Sequence, residues 1–183
     1  MAYIPLLLAA AVVAWFVAAY NKLVRLRNQV KNAWHQIEVQ LKRRYDLIPN
    51  LVEVVKDYMS YEQETLSKVI EARGAALSAK GAAAQSKAEN VLTESLKSLF
   101  AVVENYPELK ANRNVASLQE ELTATENKIS FARQFYNDSV MTYNNAIQSI
   151  PNNLVASFFN FAPEEAYFEA EPASRAVPKA DLR

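Results

Sequence analysis

The sequence predicts an all-α protein, an N-terminal transmembrane helix that continues into an elongated antiparallel bundle of three to four long helices. Three observations predict it. Gly74 and Gly81 are the only glycines among 183 residues, which leaves little material for strands, hairpin turns or phosphate-binding loops. A charge-free apolar run opens the chain. Beyond it, apolar residues recur at steps of three and four through most of the remaining length, the period of a helix with one buried face. The length suits one ordinary domain plus an anchor and is too short for two sizeable cores.

The opening run, "AYIPLLLAAAVVAWFVAAY" at residues 2–20, carries no charge. At about 1.5 Å per residue it spans roughly 28 Å, close to the thickness of a bilayer's hydrocarbon layer. A cleaved signal peptide is the alternative, but no Lys or Arg precedes the apolar run and Val17-Ala18-Ala19 is a poor cleavage context. Residues 1–20 are therefore expected to stay as an anchor. Positive charge lies beyond it, at Lys22, Arg25, Arg27 and Lys31. By the positive-inside rule the N-terminus is expected outside and the bundle in the cytoplasm, as a single-pass protein of the cell (inner) membrane. Ala10, Ala14 and Ala18 recur every four residues and give one face small enough for close packing between protomers, with filler alanine as the alternative.

After the anchor the apolar seam runs Leu23, Leu26, Val30, Trp34, Ile37, Leu41, Tyr45 and Ile48. Its repeating 3-4-4 unit spans eleven residues, about 3.67 residues per turn, so the seam barely drifts around a straight helix. It crosses Pro49 in phase at Val52, Val55 and Met59, and Pro49 is expected to kink the helix rather than end it. Ser60 with Gln63 fits a capping box, which puts a turn near residue 60. Leu66, Val69, Ile70 and Leu77 carry the pattern to about residue 79.

The small, polar stretch "SAKGAAAQSK" at residues 78–87 is expected to be a loop or frayed helix end. Another helix follows through Val91, Leu92, Leu96, Leu99, Phe100 and Val103, ending in a connection that contains Pro107. Ser117 and Glu120 form a second capping box. From there the seam Leu118, Leu122, Thr125, Ile129, Ala132, Tyr136, Val140, Tyr143 and Ile147 predicts a long helix, continued in phase past Pro151 by Leu154 and Phe158. Pro151 is thus also expected to be a kink. Residues 21–162 make the bundle, and residues 163–183, with three prolines and no helical period, are expected to form a largely disordered tail.

Little in this chain looks like a chemical site. Lys plus Arg equals Asp plus Glu at 20 each, so no broad positive field draws in nucleic acid. Cysteine is absent and His35 is the one histidine, which removes disulfides, thiol chemistry and the usual zinc and haem ligand sets. No cofactor, metal site or catalytic residue is expected. His35 itself is expected to be structural or solvated. Lys42, Arg43 and Arg44 stand about 32 Å along the helix from Lys22, several Debye lengths from a bilayer, and are expected on a solvated face or in intrabundle ion pairs. Tyr136 and Tyr143 share a helix face and are expected to be core residues, with a ligand groove as the alternative. The aromatic cluster Phe158, Phe159, Phe161, Tyr167 and Phe168 must lie on something, its own bundle, another protein or the membrane, and is a candidate interaction surface expected to face the bundle itself or a sister protomer.

Three stretches carry a resemblance: "YNKLVRLRNQVKNAWHQIEVQLKRRYDLIPNLVEVVK" (20–56), "ENYPELKANRNVASLQEELTATENKISFARQFYNDSVMTYNNAIQSIPNNLVA" (104–156) and "YFEA" (167–170). The sequence resembles the LemA family over most of residues 20–170. The resemblance implies a single membrane helix with a short outward N-terminus and a cytoplasmic helical bundle, and it brings no catalytic residue set. Asp57 and Tyr61 stand where the family often has glycine and histidine, which argues against a metal role there. The expected function is a non-enzymatic, membrane-anchored scaffold, homo-oligomeric. The rival is an adaptor that presents substrates or partners to a membrane enzyme such as a protease.

Overall fold

A computed structural model describes residues 3–59, 62–165 and 167–168. Within them the chain is all-α: α1 (Tyr3–Lys56), α2 (Gln63–Ser78), α3 (Ala82–Val103), α4 (Pro107–Ala111), α5 (Arg113–Gln148) and α6 (Asn152–Phe158). The fold class is as the periodicity predicts. The segment expected as an anchor and the first helix expected beyond it form one helix, α1, of 54 residues, and it passes through Pro49. Of the expected tail, residues 163–165 are irregular and residues 169–183 lie outside the described residues.

The chain divides into two compact units, Met1–Val39 with Ser130–Glu165, and Gln40–Ile129 with Ala166–Arg183. In the first, α1 buries Ala19, Leu23, Val30, Ala33 and Ile37, while α5 contributes Tyr136, Val140, Tyr143 and Ile147. Ala33 takes the central position that periodicity assigns to Trp34. Alanine allows close backbone approach, and the indole sits at the edge, its ring 5.6 Å from that of Tyr136 and its Nε1 donating to Glu38 Oε1 at 2.6 Å.

The second unit is built on the lower seam of α1, with Leu41, Ile48, Leu51 and Val55 buried. The helices α2 and α3 pack together as a hairpin closed by residues 79–81. The loop expected over residues 78–87 is thus three residues long. Gly81 turns the chain with φ +82°, a conformation that glycine adopts without a Cβ penalty. On α2 the buried positions are Leu66, Val69, Ala72 and Ala76, whereas Ile70 and Leu77 face outward.

Three boundaries differ from expectation. The helix α2 starts after Glu62, which makes no side-chain cap, rather than directly after Ser60; Ser60, and with it the expected capping box to Gln63, lies outside the described residues. The long helix α5 starts at Arg113 rather than Ser117, because the Asn112 carboxamide accepts from the Asn114 amide at 2.9 Å and the Val115 amide at 3.4 Å. Pro151 separates α5 from α6 instead of kinking one helix. Proline offers no amide to the Ile147 carbonyl and disfavours helical geometry at Ile150. The helix closes with the Ser149 amide on the Asn145 carbonyl, and the Ile150–Pro151 peptide is cis.

Candidate functional site

Two clusters of side chains have a definite geometry, one in each unit. In the first unit, α6 and the residues after it fold back on α1. Phe159 packs against Tyr20 with ring centroids 4.6 Å apart and against Phe16 at 5.9 Å. Phe158 meets Phe16 at 6.2 Å, and Phe161 meets Tyr20 at 5.8 Å. The guanidinium of Arg27 stands 5.0 Å over the Phe161 ring, a cation–π contact worth on the order of 1 kcal/mol.

Polar bonds fix the same segment from α5. The Tyr143 hydroxyl donates to the Ala162 carbonyl at 3.0 Å. Asn144 holds the Glu164 backbone from both sides: its Nδ2 donates to the carbonyl at 2.8 Å and its Oδ1 accepts from the amide at 2.9 Å. Burial raises the pKa of Tyr143, Arg27 opposes that rise and Glu164 adds to it.

The second unit encloses a polar network. Arg44 is 2% exposed and Glu89 is fully buried. Arg44 Nη1 lies 3.2 Å from Glu89 Oε2 and 2.8 Å from Glu126 Oε2, and its Nη2 donates to Thr93 Oγ1 at 2.8 Å. The other Glu89 oxygen accepts from the Tyr45 hydroxyl and from Gln85 Nε2 at 3.1 Å. Gln85 Nε2 also reaches the Tyr45 hydroxyl at 2.8 Å and the Ala76 carbonyl at 3.1 Å. The network therefore ties α1, α2, α3 and α5 together. Burial, then the hydrogen bond to Glu89 and its charge, push the Tyr45 phenol well above its ordinary pKa.

Arg73 completes this cluster at the backbone. In an unbroken helix the Tyr45 carbonyl would accept from the amide of residue 49, and Pro49 has none. Arg73 Nε donates to that carbonyl at 2.8 Å. The proline is accommodated within α1 by a side chain from α2.

The sequence-predicted residues distribute as follows. Ala10, Ala14 and Ala18 are exposed along α1, and so is Pro49. Phe158, Phe159 and Phe161 gather against Phe16 and Tyr20, with Phe161 buried and Phe158 largely exposed. Tyr167 and Phe168 belong to the second unit, where Phe168 is buried. His35 is exposed, its Nδ1 2.8 Å from Glu38 Oε2. Of the three basic residues, Arg44 is buried in ion pairs, Arg43 lies 3.4 Å from Glu121 and Lys42 is exposed.

Sequence reasoning missed Gln85, Glu89, Thr93 and Glu126. A signal was present: counting back from Val103, the seam of α3 steps through Leu99, Leu96, Leu92, Glu89, Gln85 and Ala82 by alternating fours and threes. The period persisted where the polarity did not. A cleft of about 210 Å³, lined in part by Leu96, Phe100, Leu122 and Glu126, reaches Arg44 from outside. The guanidinium is engaged by its own carboxylates there. Among the described residues, no group of three or more His, Asp or Glu could hold a metal ion.

One helix among the described residues, α1, is long and apolar enough to cross a membrane, and 6% of its apolar window is buried. The chain is 26% identical to magnetosome protein MamQ 2 of Paramagnetospirillum magneticum, over 93% of this chain and 72% of that protein. It is 28% identical to protein LemA of Metamycoplasma hominis, over 92% of this chain and 77% of the relative. Magnetosome protein MamQ of Magnetospirillum gryphiswaldense is 25% identical over 94% and 73%. The family model for LemA matches residues 33–182, most of the chain's length, and with its α-helical architecture and apolar leading helix this chain belongs to the LemA family.

Proposed function

We propose that this protein is a non-enzymatic, membrane-anchored helical scaffold that self-assembles at the membrane. The carrying observation is the apolar window of α1, which is almost wholly unburied by its own chain yet continues without a break into the bundle helix. Side chains of that kind need lipid or protein around them. Ala10, Ala14 and Ala18 are exposed on the same span at four-residue spacing, which suits close packing of one α1 on another. Lys22, Arg25, Arg27 and Lys31 favour a single pass through the cell (inner) membrane, N-terminus outside and bundle in the cytoplasm. A non-enzymatic role accords with buried ionisable groups that are held by one another: Arg44 and Glu89 satisfy internal bonds.

The test is the mass of the full chain in lipid nanodiscs or mild detergent. A discrete oligomer that shrinks when Ala10, Ala14 and Ala18 are together replaced by leucine is the expected result. A strictly monomeric protein with a mobile anchor overturns the reading. The adaptor reading draws on an open groove on the first unit, where Asn21, Asn28, Asn32 and Gln36 line one side of α1 beside Phe135. Co-purification of monomers with one membrane enzyme would favour it.

A further inference from the structure

The first unit exposes a second apolar strip near the end of the anchor. Ile150 is 84% exposed, Leu154 66% and Phe158 73%. They recur every four residues through the turn and α6, while Val155 and Ala156 point inward and are buried. A chain with the core to hide these side chains leaves them out. Their surroundings set the depth at which they lie: Phe158 and Phe159 touch Phe16, and Phe159 touches Tyr20. Phe16 and Tyr20 occupy the last turn of the charge-free run, and Lys22, Arg25 and Arg27 follow at once. That is where hydrocarbon gives way to headgroups, the zone that aromatic rings and basic side chains occupy.

From this juxtaposition we infer that α6 is an interfacial helix, its Ile150–Leu154–Phe158 strip seated in the lipid bilayer at the headgroup–acyl boundary beside the anchor. The occupant is lipid because the strip is continuous, through Phe16, with the surface of α1 that a bilayer would cover. A helix lying in the interface buries its apolar face about 5–10 Å below the headgroups, and the exposed Ser157 and Asn160 supply polar groups in the same segment. The Asn144 clamp on Glu164 and the Tyr143 bond to Ala162 hold the segment after α6 against α5. The inference rests on residues 3–20 spanning the bilayer.

The chain has no cysteine, so single cysteines can be labelled in the full protein without background. Nitroxides at Ile150→Cys, Leu154→Cys and Phe158→Cys in lipid nanodiscs are compared with Leu8→Cys in the anchor and Ser157→Cys beside the strip. The expected result is an oxygen-to-nickel-chelate accessibility ratio severalfold higher at the three strip positions than at Ser157→Cys, approaching that at Leu8→Cys. Strip labels as open to the nickel chelate as Ser157→Cys, with Leu8→Cys in lipid, overturn the inference and leave the anchor standing. Strip labels immobile and shielded from both reagents also overturn it, in favour of a protein partner. A water-accessible Leu8→Cys removes the anchor and the inference together.

Discussion

Arg73 on α2 donates its Nε to the Tyr45 carbonyl on α1 at 2.8 Å, standing in for the amide that Pro49 lacks. A helical proline usually leaves the carbonyl four residues earlier to water or to strain, at about 3 kcal/mol in an unadapted helix. Here the helix continues because another helix supplies the donor. Arg73→Ala should cost about 1–3 kcal/mol, the penalty of an unsatisfied part-buried carbonyl. Pro49→Ala restores the amide, so Arg73→Ala should cost less in that background. A double-mutant cycle by chemical denaturation of the detergent-solubilised protein checks it, and additive effects would sever the pairing.

Arg44 is expected to behave as a buried ion whose removal is worse than removal of the whole pair. Arg44→Ala leaves Glu89 buried without its counter-charge and should cost about 3–5 kcal/mol. Arg44→Met combined with Glu89→Leu should recover most of that loss, since two apolar side chains need no solvation. Denaturation midpoints of the single and double variants decide the matter. A double variant as unstable as Arg44→Ala would mean the network contributes more than charge balance.

Tyr45 should tie stability to alkaline pH. Its phenol has a raised pKa in the folded chain, so above about pH 10 the folded state keeps a proton that the unfolded state has released. The stability it contributes is complete below pH 10 and declines as pH rises through the folded value. Tyr45→Phe should flatten that decline, read as the unfolding midpoint against pH from 9 upward, roughly the tyrosine range. Tyr143 shifts the same way and leaves a smaller residual slope.

The two glycines should respond oppositely to alanine. Gly81 sits at φ +82°, so Gly81→Ala is strained despite open space and should destabilise by about 1 kcal/mol. Gly74 lies inside α2 with nothing within 4 Å of a new Cβ, and Gly74→Ala should stabilise by up to about 1 kcal/mol. Thermal melts followed by circular dichroism would separate the two.

What was legible in the sequence was whatever kept a period. The seams of α1 and α5 repeat for many turns, and Leu23, Ile37, Leu41, Ile129 and Tyr136 are all buried where the spacing put them. Packing detail was not legible, because Ala33 and Ala76 are buried by virtue of smallness while Trp34 and Leu77 give way to the edge or the surface. The start of α5 differs from the sequence signal because Asn112 caps the helix ahead of Ser117. Pro49 and Pro151 share nearly the same neighbours in sequence, yet their outcomes diverge. The Tyr45 carbonyl on α1 has Arg73 of α2 beside it, a contact between residues far apart in the chain that no local string contains. The polar network was hidden for a related reason: Glu89 looks like a surface residue until Arg44 and Tyr45 are placed opposite it.

That network also fixes register. A seam of leucines alone is nearly periodic, and α3 could slip along α1 by one heptad and bury much the same surface. With Gln85 and Glu89 in the seam, a seven-residue slip carries the carboxylate about 10 Å from Arg44 and strands both charges in apolar packing. A hairpin that can seat on α1 in a single alignment leaves the chain one arrangement of its core, where leucines alone would have left several of nearly equal energy.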